Sequence, residues 1–233
     1  MARKKGDELP PIENIFPMWE GLTTDERQYV RSNYIVQHYK RGEVIHAEGD
    51  IPTHMMLLAA GKAKVYKEGA SSRTQIIRML RPGNIFGYRA IIANGNYNTN
   101  VMAFEASVVY MFKTELFLSI LRHNNAFCYY YLEDLAKDLA DSDDRAINLT
   151  QKHIRGRLAE ALLLLKKNYG VEEDGATVSI YLAREDLANL SNMTTSNAIR
   201  TLTNFSMEHI IAMDGRKLKI IDEDRLVKIS KMG

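Results

Sequence analysis

The sequence predicts an α+β protein in three successive parts: an antiparallel β barrel or sandwich, a long helix, and a small helical domain ending in a β-hairpin. Three observations carry this. Between Tyr34 and Phe112, short apolar runs alternate with Gly42, Gly49, Gly61, Gly69, Gly83, Gly87 and Gly95. From Thr114 to Thr150 there is neither glycine nor proline. After Gln151 come helical stretches and then Asp214-Gly215, flanked by apolar alternation.

The elements follow in order. Residues 1–21 read as a lead-in, polar at first and then broken by Pro10-Pro11 and Pro17, which disfavour regular helix. Thr23 with Glu26 three residues later is a capping-box signature, which predicts a short helix over about 24–32. Residues 22–113 form the β domain, with runs at 34–36, 44–45, 55–58, 64–66, 76–80 and 108–112 separated by turn signals. Residues 114–150 form the helical segment, where Phe127, Tyr131, Leu135, Leu139, Ser142, Ala146 and Leu149 make an apolar stripe opposite Glu133, Asp134, Lys137, Asp138, Asp141, Asp144 and Arg145. A helix of about 24 residues is roughly 36 Å long, too long for one small barrel to cover. The stripe therefore points to a second copy of the chain, with Phe127, Tyr131, Leu135, Leu139 and Ala146 at the dimer contact. Residues 151–233 read as helix, polar loop, a short strand at 177–181, helices at about 183–190 and 194–207, a type I′ hairpin, and a last helix at about 223–231.

Composition bounds the function. With 45% hydrophobic and 26% charged residues in 233, the chain carries enough apolar surface for a real core. Cys128, the single cysteine, excludes a disulfide framework. The start, Arg3-Lys4-Lys5-Gly6-Asp7-Glu8, has no apolar secretory region, and no run approaches 18 apolar residues, so the expectation is a cytoplasmic protein with no membrane partner. The net charge of +2 conceals segregation: residues 1–113 carry 15 basic and 11 acidic residues, 114–151 carry 3 and 7, and 152–233 carry 13 and 11. Catalytic signatures are lacking. There is no glycine-rich dinucleotide or Walker loop and no Gly-x-Ser-x-Gly. His46-Ala47-Glu48 matches half of a zinc-deaminase motif whose Cys-x-x-Cys half one cysteine cannot supply.

The stretch Leu182–Leu202 has the arithmetic of a helix-turn-helix. Small Ala188 sits where two helices cross, and Asn192 suits a turn with positive φ. Thr194 can cap the second helix, while Ala198, Ile199 and Leu202 pack it back. That leaves Thr194, Thr195, Ser196, Asn197 and Arg200 to meet DNA, with Arg216, Lys217 and Lys219 on a basic wing suited to backbone phosphate.

With Gly42–Asp50, Gly61–Val65 and Leu80–Gly87 as carriers, residues 22–230 resemble the transcription regulators typified by the cAMP receptor protein and the fumarate–nitrate reduction regulator. The resemblance implies an N-terminal β-roll (cupin-like, a double-stranded β-helix) as effector domain, a long dimerisation helix and a C-terminal winged helix-turn-helix. It also implies a homodimer on a two-fold-symmetric double-stranded DNA operator, with RNA polymerase as protein partner. Nucleotide-binding relatives typically carry Arg and Glu where this chain has Thr195 and Ser196, so a different operator is expected.

The implied effector pocket comprises Phe86, Gly87, Tyr88, Arg89, Asn98, Thr99, Ser142 and Asp143. It departs from the nucleotide-binding pattern. Tyr88 stands where a glutamate holds ribose, and Asn98, before Thr99, stands where an arginine holds the cyclic phosphate; an amide lacks the charge and the guanidinium fork for that. Arg89, read as the strand neighbour of Tyr88, points away, and its rescue of a phosphate site is the one route left to cAMP. One cysteine excludes the four-cysteine iron–sulfur cluster of the oxygen-sensing branch. Haem stays open as an alternative, with His38, His46, His54, Met55, Met56, His123 and His153 as candidate ligands.

Overall fold

The computed structural model describes residues 9–69 and 73–232. They open with helix α1 (Ile12–Ile15) and a 3-10 turn at Trp19–Gly21. The segment read as a lead-in is packed: Ile12, Phe16, Trp19 and Leu22 are buried, and the Tyr110 hydroxyl donates to the Pro10 carbonyl at 3.0 Å. Pro11 serves as the N-cap of α1, where a missing N–H costs nothing. Helix α2 (Thr24–Ser32) starts at the expected capping box, with Thr23 and Glu26 bonding reciprocally at 2.8 and 3.2 Å.

Eight strands follow: β1 (Tyr34–Tyr39), β2 (Val44–His46), β3 (His54–Ala60), β4 (Ala63–Glu68), β5 (Thr74–Leu80), β6 (Ile85–Phe86), β7 (Asn100–Ala103) and β8 (Ser107–Lys113), with helix α3 (Tyr88–Ile92) between β6 and β7. They form two four-stranded sheets, ordered β1-β8-β3-β6 and β2-β7-β4-β5. After His54, strand β3 is apolar because both of its faces are covered. Met55, Leu57 and Ala59 join the cluster that holds Ile12, Phe16, Trp19, Phe117, Phe127 and Tyr131. Met56 and Leu58 join Ala63, Val65, Leu80, Phe86 and Val101 of the other sheet's side. Gly61 makes the β3–β4 turn possible: its φ is +83°, and a Cβ there would lie 2.4 Å from the Ala106 carbonyl oxygen.

The glycine-free segment is two helices, α4 (Thr114–His123) and α5 (Asn125–Gln151). Asn124 separates them. Its Oδ1 accepts the Phe127 N–H at 3.0 Å, while its Nδ2 donates to the Gly21 carbonyl at 2.9 Å and the Glu26 carboxylate at 2.7 Å.

Beyond α5 lie α6 (Ile154–Tyr169), α7 (Arg184–Leu190), α8 (Thr195–Met207), β9 (Ile211–Asp214), β10 (Lys217–Ile220) and α9 (Glu223–Met232). Helix α6 packs on α9, and α7 on α8. The expected strand at 177–181 is instead two isolated bridges, Val171 with Val178 and Thr177 with Lys219. The chain forms two compact units, Met1–Lys67 with Ile77–Lys137, and Glu68–Ile76 with Asp138–Gly233.

Candidate nucleic-acid interface and effector pocket

In the second unit, α7 and α8 meet through the fully buried Ala188. The turn between them holds Asn192 at φ 49°, and the Ser191 hydroxyl donates to the Leu187 carbonyl at 2.8 Å. The Thr194 side chain caps α8 by accepting the Asn197 N–H at 3.2 Å. Ala198, Thr201, Leu202 and Phe205 are buried beneath α8, while Thr195, Ser196 and Arg200 are exposed. Arg200 Nη2 donates to Asn197 Oδ1 at 3.0 Å, which holds the guanidinium along the helix. Ile199 departs from its expected packing role and is 48% exposed.

The wing is the β9–β10 hairpin, closed at Lys217 opposite Asp214. Arg184, at the start of α7, donates to the Gly215 carbonyl and ties the wing tip to the helix-turn-helix. Arg216 and Lys217 are exposed, with the Lys217 ammonium 5.6 Å from the centre of the Tyr181 ring. Lys219 differs: its ammonium lies 3.2 Å from the Asp174 carboxylate. The Thr177 backbone N–H and hydroxyl and the Ala176 N–H hold that carboxyl well below its usual range, so it is a fixed anion and Lys219 is a structural strap.

In the first unit, Gly87 caps α3 with φ 84°; a Cβ there would lie 2.8 Å from the Met56 methyl. Tyr88 and Arg89 therefore occupy the first turn of a helix, and the expected strand alternation, with Arg89 pointing away, does not hold. The buried Tyr88 hydroxyl donates to the Asp134 carboxylate on α5. Burial and then Asp134 push that phenol up to about 12, while a hydrogen bond from Arg89 opposes them. Arg78 on β5 belongs to the same cluster; burial and the like charge of Arg89 lower its pKa, while Tyr88 and Asp134 oppose this. Sequence reasoning missed Arg78 and Asp134.

The other expected pocket residues lie elsewhere. Phe86 is buried in the inter-sheet cluster. Asn98 is exposed, and its carbonyl accepts from Lys67 at 3.2 Å. The Thr99 backbone bonds to the His46 ring. Ser142 and Asp143 are exposed on the part of α5 that belongs to the second unit.

The haem candidates do not form a ligand set. His38 is exposed on β1, and His123, exposed at the end of α4, bonds through Nδ1 to the Ser119 carbonyl. His153 caps α6 in the second unit. His54 Nδ1 lies 2.9 Å from the Thr53 hydroxyl. Met55 and Met56 fill separate core clusters. One face of His46 is taken by the Tyr97 ring, 3.8 Å away between centroids.

On α5, Phe127 and Tyr131, expected at a dimer contact, are 0% and 2% exposed in the roll's own core. Each step of four residues turns a helix position by about 40°, so three steps from Phe127 to Leu139 rotate the stripe by about 120°, onto another face. Asp134, expected on the opposite face, shares the face of Phe127 and Tyr131. The exposed large apolar residues of α5 are Tyr129, Leu132, Leu139 and Ile147, with Leu132 and Leu139 at 60% and 64%. With Cys128, Leu135, Ser142 and Ala146, Leu132 and Leu139 keep a four-three spacing.

Two domain families match this chain: the cyclic nucleotide-binding domain over residues 36–124 and the Crp-like helix-turn-helix domain over residues 156–229. The chain is 22% identical to the CRP-like cAMP-activated global transcriptional regulator of Mycobacterium tuberculosis, over 82% of this chain and 85% of that one. It is also 22% identical to the cyclic AMP receptor protein of Thermus thermophilus, over 92% and 96%. A crystal structure of a crp/fnr-family protein from Eubacterium rectale superposes with a TM-score of 0.76 at 21% identity, covering 94% of this chain and 100% of that one.

One pH dependence follows from the roll. Burial holds the His46 imidazole neutral, lowering its pKa to about 4 against the opposing pull of Asp50. An unfolded histidine titrates near about 6.5. The folded value is the lower one, so the unfolded chain binds more protons between the two. Stability from this group is full above about pH 6.5 and declines as the pH falls towards 4, by on the order of 3 kcal/mol. His46→Gln is expected to flatten the pH dependence of the urea midpoint across that window.

Proposed function

Because the chain belongs to the CRP/FNR family of transcription regulators, a family of regulators and not of enzymes, we propose that it is a homodimeric, sequence-specific DNA-binding regulator whose β-roll answers to an effector other than cAMP. The observation that carries the DNA reading is the capped α8 with Thr195, Ser196 and Arg200 exposed above a buried Ala198–Phe205 face, beside a wing held by Arg184. Hydrogen-bonding side chains on one exposed helix face suit base edges in a major groove, and Arg216 and Lys217 suit phosphate. Two such modules in a dimer read half-sites about one helical turn apart. RNA polymerase is the protein partner this role implies.

Dimerisation is supported by the outward Leu132–Leu139–Ala146 face of α5. An effector other than cAMP is supported by the residues themselves. The relatives named for cAMP share the fold, but here the Tyr88 phenol is bound to Asp134, and Asn98 is exposed with its carbonyl held by Lys67. The Asp134 carboxylate occupies the Tyr88 hydroxyl and shares its surroundings with Arg78 and Arg89, so this cluster is already paired within the chain.

Three outcomes are expected. Arg200→Ala and Ser196→Ala weaken binding to an operator selected from a random library by about 1–3 kcal/mol each and relax its sequence preference, whereas Lys217→Ala weakens all sequences alike and shallows the salt slope by about 1. Anisotropy titrations at two salt concentrations separate these effects. Leu139→Glu yields a folded monomer by light scattering, while Phe127→Glu loses the folded roll. Calorimetry with cAMP at tens of micromolar shows no binding heat; micromolar affinity contradicts the effector reading.

A further inference from the structure

Ile199 stands out on α8 because its chemistry does not match its place. Its neighbours in sequence divide cleanly: Ala198, Thr201, Leu202 and Phe205 are buried, and Ser196, Arg200 and Thr203 are exposed polar side chains. Ile199 is large, β-branched, apolar and 48% exposed. At about 100° per residue it lies about 60° from Ser196 and about 40° from Thr203 around the axis, on the flank of the exposed face. The Thr203 hydroxyl donates to the Ile199 carbonyl at 3.0 Å, so that group is spent on the helix backbone and the Thr203 methyl remains beside Ile199. The apolar patch lies on one flank of the exposed face, and the Arg200 guanidinium, bonded to Asn197, is turned towards the other.

The major groove has one apolar feature, the 5-methyl group of thymine; every other group on the base edges donates or accepts a hydrogen bond. We infer that Ile199, with the Thr203 methyl, reads a thymine 5-methyl in each half-site. The inference rests on the DNA-binding reading above and adds the base that the hydrogen-bonding residues do not specify. Ile199 and Arg200 are successive residues about 100° apart around the axis, so the two side chains face different parts of the half-site. Arg200 is suited to the O6 and N7 acceptors of a guanine, so each half-site carries a guanine as well as the thymine.

Deoxyuridine tests this because it removes the 5-methyl and nothing else. An operator is selected with the full-length protein, each thymine is replaced by deoxyuridine in symmetric pairs, and affinity is measured by anisotropy. For one thymine pair, replacement is expected to weaken binding about fourfold per methyl, or about fifteenfold for both half-sites. Ile199→Ala is expected to bind the thymine and uracil operators equally, and Ile199→Val to keep the discrimination. Ile199 is 48% exposed and lies outside the buried face of Ala198, Thr201, Leu202 and Phe205, so these variants fold. Insensitivity to every replacement, or a sensitivity that Ile199→Ala leaves intact, overturns the assignment alone. Failure to enrich any DNA sequence overturns the DNA-binding reading and this assignment with it.

Discussion

The placement of α5 depends on Asn124. This one amide ends α4, caps α5 through the Phe127 N–H, and anchors the junction to the Gly21 carbonyl and the Glu26 carboxylate. Glu26 is itself half of the capping box that starts α2. Two helix starts and the N-terminal segment therefore share one hydrogen-bonded junction. Losing that amide would leave the buried Phe127 N–H without its acceptor, while Glu26 would keep the Thr23 N–H.

Once that junction sets the rotation of α5, the rest of the helix follows. Phe127 and Tyr131 enter the aromatic cluster with Phe16, Tyr88 and Phe117. Asp134, on the same face, arrives over Tyr88. Leu132 and Leu139 are turned outward. The contact of α5 with α3 and the outward position of Leu132 are thus two sides of one rotational constraint. Beside α3 the roll gathers Tyr88, Asp134 and the two arginines Arg78 and Arg89 into one cluster.

Much of the fold was legible in the sequence because local signals and tertiary structure agree. The strands at 34–36, 55–58 and 108–112, the Thr23 capping box, Asn192 at positive φ and the Thr194 cap all state backbone requirements that one residue type meets. What failed depended on rotation or on long-range packing. The prolines around residue 10 looked like punctuation and are the start of a buried segment. Repeated steps of four looked like one stripe and cover two faces. Tyr88 and Arg89 looked like neighbours on a strand, although Gly87 in a left-handed conformation starts a helix there. Ile199 fits an apolar helix pattern, yet it falls outside the arc that the domain covers. In the DNA module the sequence named the exposed Thr195, Ser196 and Arg200, whereas the partner of Lys219 depended on a loop 45 residues away.

In the proposed arrangement two chains, joined along α5, present two copies of α8 to one DNA duplex. Sedimentation equilibrium of the full-length protein on a fluorescent selected operator, with one or both half-sites intact, tests it directly. The account predicts two chains on each duplex that carries both half-sites and a large loss of affinity when one half-site is scrambled. One chain per duplex, with affinity unchanged by the scrambled half-site, would contradict it.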